Sequence, residues 1–353
     1  MIVLSLFDGM SCAQIALKQL GIPVEKYYSS EIDKFAIKQT QLNFPGTILL
    51  GDVNNWKSWN IHWSSIDLVC AGSPCQGFSF AGKQLAFDDP RSKLFFVFVE
   101  ILNHCKKFNP EVKFLLENVD MKKDHLRIIS EYVGIFPTKI NSALVSAQNR
   151  ERWYWSNIRT KQIGLFDELY TDIPQPEDRG LFQEHILQPE NEVDKKYHLS
   201  KTMMKWLNNH SAKNAHKGYG SGLKVKGPGE KMSCLTSGQY KQNLSSDYVC
   251  TNVKQLSTSI ESGGKQPYQQ NRIYDISGKS PALMAGLSSG SNAVFIPKTD
   301  SIRRLTPIEC SRLQTIPDWY KWECSDSQIY RMLGNGWTVE VIMWIFGFMD
   351  NIS

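Results

Sequence analysis

Short apolar runs recur along the first third of the chain, each closing on a polar or glycine residue, and most are followed by a segment of helical period. IVLSLF (2–7) ends at Asp8-Gly9, and a helical pattern then runs from Cys12 to Leu20 and stops at Gly21. KYYSSE forms a second strand ending at Glu31, followed by a helix from Asp33 to Leu42. ILLGDV places Asp52 at a strand end, and DLVCAGSPC does the same for Ser73 to Cys75. LFFVFVEIL is the next helix and KFLLEN the next strand, with Glu117 and Asn118 at its tip. Such alternation predicts an α/β fold, a doubly wound, mostly parallel sheet whose ligands sit beyond the carboxyl ends of the strands. The polar residues at those ends are the site candidates.

Composition narrows the class. A chain of 353 residues, 41% hydrophobic and 21% charged, can bury one large core or divide into two unequal lobes. Its apolar runs fall well short of the roughly 18 residues a membrane helix needs. MIVLSLFDGM has neither a basic leader nor a small-residue cleavage site, so the expectation is a cytoplasmic protein with its native start. The eight cysteines are scattered, without C-x-x-C pairs or zinc-spaced histidines; reduced thiols and no structural metal are expected.

Charge is distributed unevenly. Between Lys195 and Thr299 there are 15 Lys and Arg against 4 Asp and Glu, a surplus of 11, and the remainder of the chain holds −6 of the net +5. This segment is also rich in Gly, Ser, Asn, Gln and Tyr, a mixture that reaches phosphates and base edges. A solvated, lysine-rich loop domain would have the same composition.

Each candidate has a plainer reading. Asp8-Gly9 fits an ordinary strand-to-helix turn; Glu31 and Asp52 are acids of the kind that cap helices, although Asp33 is better placed for that. Cys75 as a bare cysteine would be a buried small hydrophobe. Its context changes this. Pro74 stiffens the approach, Gln76-Gly77 gives a mobile exit, and a strand terminus near helix N-termini stabilises a thiolate. No G-x-G-x-x-G is present, which argues against a nicotinamide dehydrogenase.

With SPCQGFSFAGKQ (73–84) and ENV (117–119), the chain resembles the bacterial and phage 5-cytosine DNA methyltransferases over nearly its whole length apart from the basic segment. FDG (7–9) is similar to the family's opening cofactor loop, and SPCQGFS to its Pro-Cys motif. DDPRSKLFF (88–96), QNRER (148–152), RRLTPIECSRLQTIPDWY (303–320) and YRMLGNGWTVEVI (330–342) follow in the family's order. The resemblance implies S-adenosylmethionine as cofactor, held by Phe7, Asp8, Gly9, Glu31 (ribose), Ile32, Asp52 (adenine), Val53, Pro74, Leu94, Asn335 and Trp337. It implies a Rossmann-like catalytic domain at 1–175, a loop-rich target recognition domain inserted at 176–300, and a return segment at 301–353 that brings residues near 335–340 beside Phe7 to Gly9. The insertion coincides with the charge surplus between Lys195 and Thr299, which composition alone shows.

The chemistry implied is methyl transfer to carbon 5 of a cytosine flipped out of double-stranded DNA. Carbon 5 is too electron-poor to attack a methyl sulfonium directly, so a thiolate, Cys75, must first add at C6. Glu117 is the acid held against N3, and Arg152, with Arg150 nearby, serves the O2 edge. The loop Gln76 to Asp88 resembles the one that closes over DNA, with Lys83 or Gln84 at phosphate or in the vacated stack. Further expectations are a monomer and a cognate restriction endonuclease acting separately. In FDGMSCA the further glycines common in the family are replaced by Ser11 and Cys12, Ile32 stands where an aromatic often packs on adenine, and GNGWTV replaces the commoner closing motif. The alternatives are a transfer-RNA cytosine methyltransferase and a catalytically inactive DNA-binding regulator; intact Cys75, Glu117, Arg150 and Arg152 weigh against the latter.

Overall fold

The computed structural model describes residues 1–72, 93–164, 167–198 and 301–349, together with short strands between 224 and 296 that are described as backbone, as are residues 301–304. Pro74, Cys75, Lys83 and Gln84 lie outside the described residues, as does most of the basic segment.

The strands are β1 (Ile2–Leu6), β2 (Lys26–Ser30), β3 (Ile48–Leu49), β4 (Leu68–Ala71), β5 (Lys113–Val119), β6 (Thr138–Asn141), β7 (Gln148–Asn149) and β8 (Glu151–Ser156); helices α1 (Cys12–Gln19), α2 (Lys34–Asn43), α3 (Lys93–Phe108) and α4 (Lys123–Val133) alternate with them. Seven strands form one sheet in the order β3-β2-β1-β4-β5-β8-β6. The first five in this order pair in parallel, whereas β8 runs antiparallel to both β5 and β6. Strand order reverses direction between β1 and β4, which is the point in such a sheet where a ligand crevice opens. The loop after β1 carries FDG, and β4 is followed in the sequence by Gly72 and then the Pro-Cys motif.

Burial follows from the topology. Every residue of β1 and β4 is buried, as expected for parallel strands covered on both faces. Alternate residues serve two cores: Val3, Cys70, Leu115 and Tyr154 face one, and Leu4, Val69, Leu116 and Trp155 face the other with α3. The first core is completed by three helices near the end of the chain, α5 (Pro307–Leu313), α6 (Asp326–Asn335) and α7 (Val339–Phe346). A capping box starts α5, with Thr306 and Glu309 bonding each other's backbone N–H. Residues 301–304 pair with 292–296, which pair in turn with 247–249, in a three-stranded sheet; Ser280–Pro281 pairs with β7.

Side chains of α2 hold this return segment. Gln39 Nε2 donates to the Lys321 carbonyl at 2.7 Å and its Oε1 accepts from Glu323 N–H at 2.8 Å, while Asn43 Oδ1 accepts from Lys321 N–H at 2.7 Å. Arg331 pairs with Asp33 across the same seam. Among the described residues no helix is long and apolar enough to cross a membrane.

Candidate active site

The loop after β1 has an unusual backbone: Phe7 (φ 56), Gly9 (φ 57) and Ser11 (φ 63) are all left-handed. Glycine adopts this without cost, and nothing lies within 4 Å of the place a Cβ on Gly9 would occupy. Asp8 is turned inward. Its Oδ1 accepts from Ser5 Oγ at 2.5 Å and Tyr27 Oη at 2.8 Å, and its Oδ2 accepts from Ser29 Oγ at 2.8 Å and from the Ser11 hydroxyl. Burial pushes its carboxyl above the usual carboxylate range, opposed by these four hydroxyls.

Glu31 reaches across from the end of β2. Its Oε2 accepts from Gly9 N–H at 2.8 Å, and its Oε1 accepts from Ile32 and Asp33 N–H at 2.7 and 2.8 Å. Asp33 is the N-cap of α2, as its sequence position suggested. Ile32 projects into solvent, 73% exposed. Asp52 caps the 3-10 turn Val53–Ser58, accepting from Asn54 N–H at 2.9 Å. Val53 is buried, whereas Phe7 and Leu94 are partly buried against the α3-side core.

The closing motif meets this loop at Cys12, whose Sγ lies 3.3 Å from the place a Cβ on Gly336 would occupy, and the segment before it meets the loop at Met10. Tyr320 Oη donates to the Met10 carbonyl at 3.0 Å. Trp337 stands at the end of β4 and is 8% exposed, and Asn335, the last residue of α6, faces solvent. A Cβ on Gly72 would lie 2.9 Å from Trp337 Nε1 and 3.3 Å from its Cζ2. The indole thus fills the space in front of Gly72. Gly72→Ala is expected to displace it and lower stability by about 1–3 kcal/mol, as overpacking does. Thermal denaturation checks this, and adding Trp337→Phe should recover part of the loss.

Glu117 and Arg152 come from adjacent antiparallel strands. Register pairs Glu117 with Tyr154 and Val119 with Arg152, so all four share one face and the charged pair meets diagonally. Arg152 Nε lies 3.0 Å from Glu117 Oε1 in an ion pair whose side chains are 8% and 10% exposed. Arg150, also buried, donates to the Gly336 carbonyl at 2.9 Å and the Gly334 carbonyl at 3.3 Å. Three residues that sequence reasoning missed, Gln314, Gln148 and Thr338, join this junction. Gln314 Nε2 donates to the Leu333 carbonyl at 2.6 Å, and its Oε1 accepts from Thr338 Oγ1 at 2.9 Å and from Gln148 Nε2 at 3.2 Å. All three lie within the quoted motifs, but only their burial marks them as structural.

Four of the five described cysteines are poor nucleophiles. Cys12, Cys70, Cys105 and Cys310 are buried, and burial pushes the thiols of Cys12 and Cys105 up to about 12. At pH 8 either is therefore overwhelmingly the protonated thiol, and the thiolate is the reactive form. Brief alkylation of the native protein at that pH, read by peptide mass spectrometry, is expected to leave both unmodified.

The sequence model of the C-5 cytosine-specific DNA methylase family matches residues 1–350. The chain is 30% identical over 352 residues to Type II methyltransferase M.HpaII of Haemophilus parainfluenzae, spanning 96% of this chain and 86% of that protein. It is 29% identical over 353 residues to Type II methyltransferase M.NlaX of Neisseria lactamica, spanning 96% and 93%. The solved structure of S. pombe Dnmt2 methyltransferase has the same fold, with a TM-score of 0.62 at 16% identity over 99% of this chain and 97% of that one. A match of that extent settles the family: the chain belongs to the C-5 cytosine-specific DNA methylases and is a DNA cytosine-5 methyltransferase.

Proposed function

We propose that this enzyme moves a methyl group from S-adenosylmethionine to carbon 5 of a cytosine turned out of duplex DNA, with Cys75 as nucleophile and Glu117 and Arg152 on the base. The observation that carries this reading is the buried Glu117–Arg152 pair at 3.0 Å. N3 and O2 of cytosine are separated by one ring carbon, so their partners must also be neighbours. A carboxyl and a guanidinium already in contact meet that requirement without rearrangement.

The residues of the crevice fit the cofactor. Open space before Gly9 admits a ligand to the loop backbone, and Glu31 and Asp52 offer acceptor oxygens for ribose hydroxyls and an adenine amine. Ile32, Val53, Leu94, Asn335 and Trp337 complete the proposed pocket, with Pro74 before the nucleophile. Once bound, S-adenosylmethionine supplies an electrophilic methyl on a sulfonium. Cys75 adds as thiolate to C6, and the displaced electron pair moves toward N3 and O2, where Glu117 and Arg152 stabilise it. C5 is then enamine-like and able to displace the methyl from the sulfonium, whose S–CH3 bond electrons would stay on the departing thioether; loss of the C5 proton returns the electron pair that expels the Cys75 thiolate. Asp8 contributes through the loop's backbone, since its carboxylate points inward. Arg150 holds the closing motif through Gly334 and Gly336 and so positions Arg152.

The division into 1–175, 176–300 and 301–353 belongs to the same proposal, with the basic segment reading duplex DNA and a restriction endonuclease, where one exists, acting separately. Purified protein given S-adenosylmethionine and either duplex DNA or transfer RNA should form 5-methylcytosine only in the DNA; product in the RNA alone would overturn the substrate. Glu31→Ala is expected to weaken S-adenosylmethionine binding by about 1–3 kcal/mol, the range for losing a charged hydrogen-bond partner, as read by calorimetry. A chimera carrying a relative's segment in place of 195–299 should methylate the relative's site; one that keeps the original site would refute the recognition assignment.

A further inference from the structure

The loop after β1 places two side-chain-bearing residues, Phe7 and Ser11, in the left-handed region, where Cβ crowds the following carbonyl oxygen. Something must hold them there. At Ser11 (φ 63, ψ 46) the holding groups are visible. Its hydroxyl donates to Asp8 Oδ2 and lies 2.9 Å from Thr40 Oγ1, which donates in turn to the Gly9 carbonyl at 3.4 Å. A serine at the start of a helix ordinarily has extended backbone and turns its hydroxyl onto the first-turn N–H groups. Ser11 does neither: its side chain makes no capping bond. Its hydroxyl is directed inward, to a carboxylate that also gathers Ser5, Tyr27 and Ser29.

We propose that Asp8 and Ser11 are positioning residues for the cofactor: the buried Asp8 carboxylate, bonding the Ser11 hydroxyl, fixes the left-handed turn that presents the Phe7–Gly9 backbone to S-adenosylmethionine. The hydroxyl thereby does by bonding what a glycine at position 11 would do by conformational freedom. This rests on the reading that the β1 loop holds the cofactor. The two ideas separate experimentally, because the positioning role predicts an order of variants that simple contact loss or general destabilisation does not.

Ser11→Ala keeps Cβ and loses the bond, so the Kd for S-adenosylmethionine should rise about tenfold, the scale of the left-handed penalty for an L residue. Ser11→Gly also loses the bond but needs no restraint, and should recover most of that loss. Asp8→Asn should weaken cofactor binding as Ser11→Ala does, and Ser11→Gly added to it should restore part. Asp8→Asn is chosen over Asp8→Ala because it keeps the side-chain volume and one acceptor oxygen. In each variant KM for the cofactor should change while kcat at saturation and KM for DNA stay within about twofold. Calorimetry and steady-state kinetics on the full chain read all of this. Ser11→Ala binding like the parent, or Ser11→Gly binding as weakly as Ser11→Ala, would overturn the proposal. If Glu31→Ala still loses affinity in that case, the cofactor reading survives and only the positioning role falls; if neither Glu31→Ala nor Ser11→Ala affects binding, both fall.

Discussion

Duplex DNA carrying 5-fluorocytosine at the target site is expected to leave a stable covalent adduct on the peptide containing Cys75, and to do so only when S-adenosylmethionine is present. The fluorinated base still accepts the thiolate at C6 and the methyl at C5, but fluorine cannot leave as a cation, so elimination of the enzyme is blocked. Mass spectrometry of the digested complex locates the attachment. Cys75→Ser should abolish the adduct and lower turnover at least about a thousandfold, because a hydroxyl is far less ionised and less nucleophilic than a thiol. The folded variant should still bind DNA. The burial of Cys12, Cys70, Cys105 and Cys310 makes each an inert competitor, so an adduct on any of them would refute the assignment. Trapping on transfer RNA and not on DNA would move the substrate to RNA. Absence of any adduct, with tight specific DNA binding retained, would favour an inactive regulator.

In the parallel half of the fold, β1, β4 and β5 were legible because they are buried almost throughout and so read as apolar runs with a polar stop. β8 was not. QNRER is mostly polar and charged, yet Arg150 and Arg152 are 3% and 6% exposed; burying charge there contradicts local patterning, and only the motif drew attention to it. Glu117 was legible as a strand-end acid, but its pairing with Arg152 depends on the antiparallel register of β5 and β8. Asp8 shows a similar limit. Its place at a strand end was plain, whereas its inward direction depends on Ser29 and Tyr27, which parallel pairing sets beside Ser5 and Val3. Gln39, Asn43 and Tyr320 join parts of the chain more than 270 residues apart, contacts without a local signature.

Breaking the Glu117–Arg152 pair is expected to separate catalysis from stability. Glu117→Gln keeps shape and hydrogen-bonding capacity but removes the acid and the charge, so kcat should fall about 10²–10³-fold, the range for deleting one preorganised stabilising group. It also leaves the Arg152 guanidinium buried beside an uncharged amide. Losing one partner of a buried pair costs about 3–5 kcal/mol, and the 8% and 10% exposure of these side chains leaves little water to offset that. The melting temperature should therefore drop. Arg152→Met alone should also destabilise, by stranding the carboxylate, and should weaken binding of the flipped base. In the double variant Glu117→Gln, Arg152→Met no unpaired charge remains, so stability should return toward the parent while activity stays as low as in the worse single variant. Thermal unfolding and single-turnover kinetics on the four proteins close the cycle. If the double variant lost stability as the sum of the singles, the two side chains would be energetically independent. If Glu117→Gln kept parental kcat at any pH tested, Glu117 would not be the acid at N3, whatever its effect on folding.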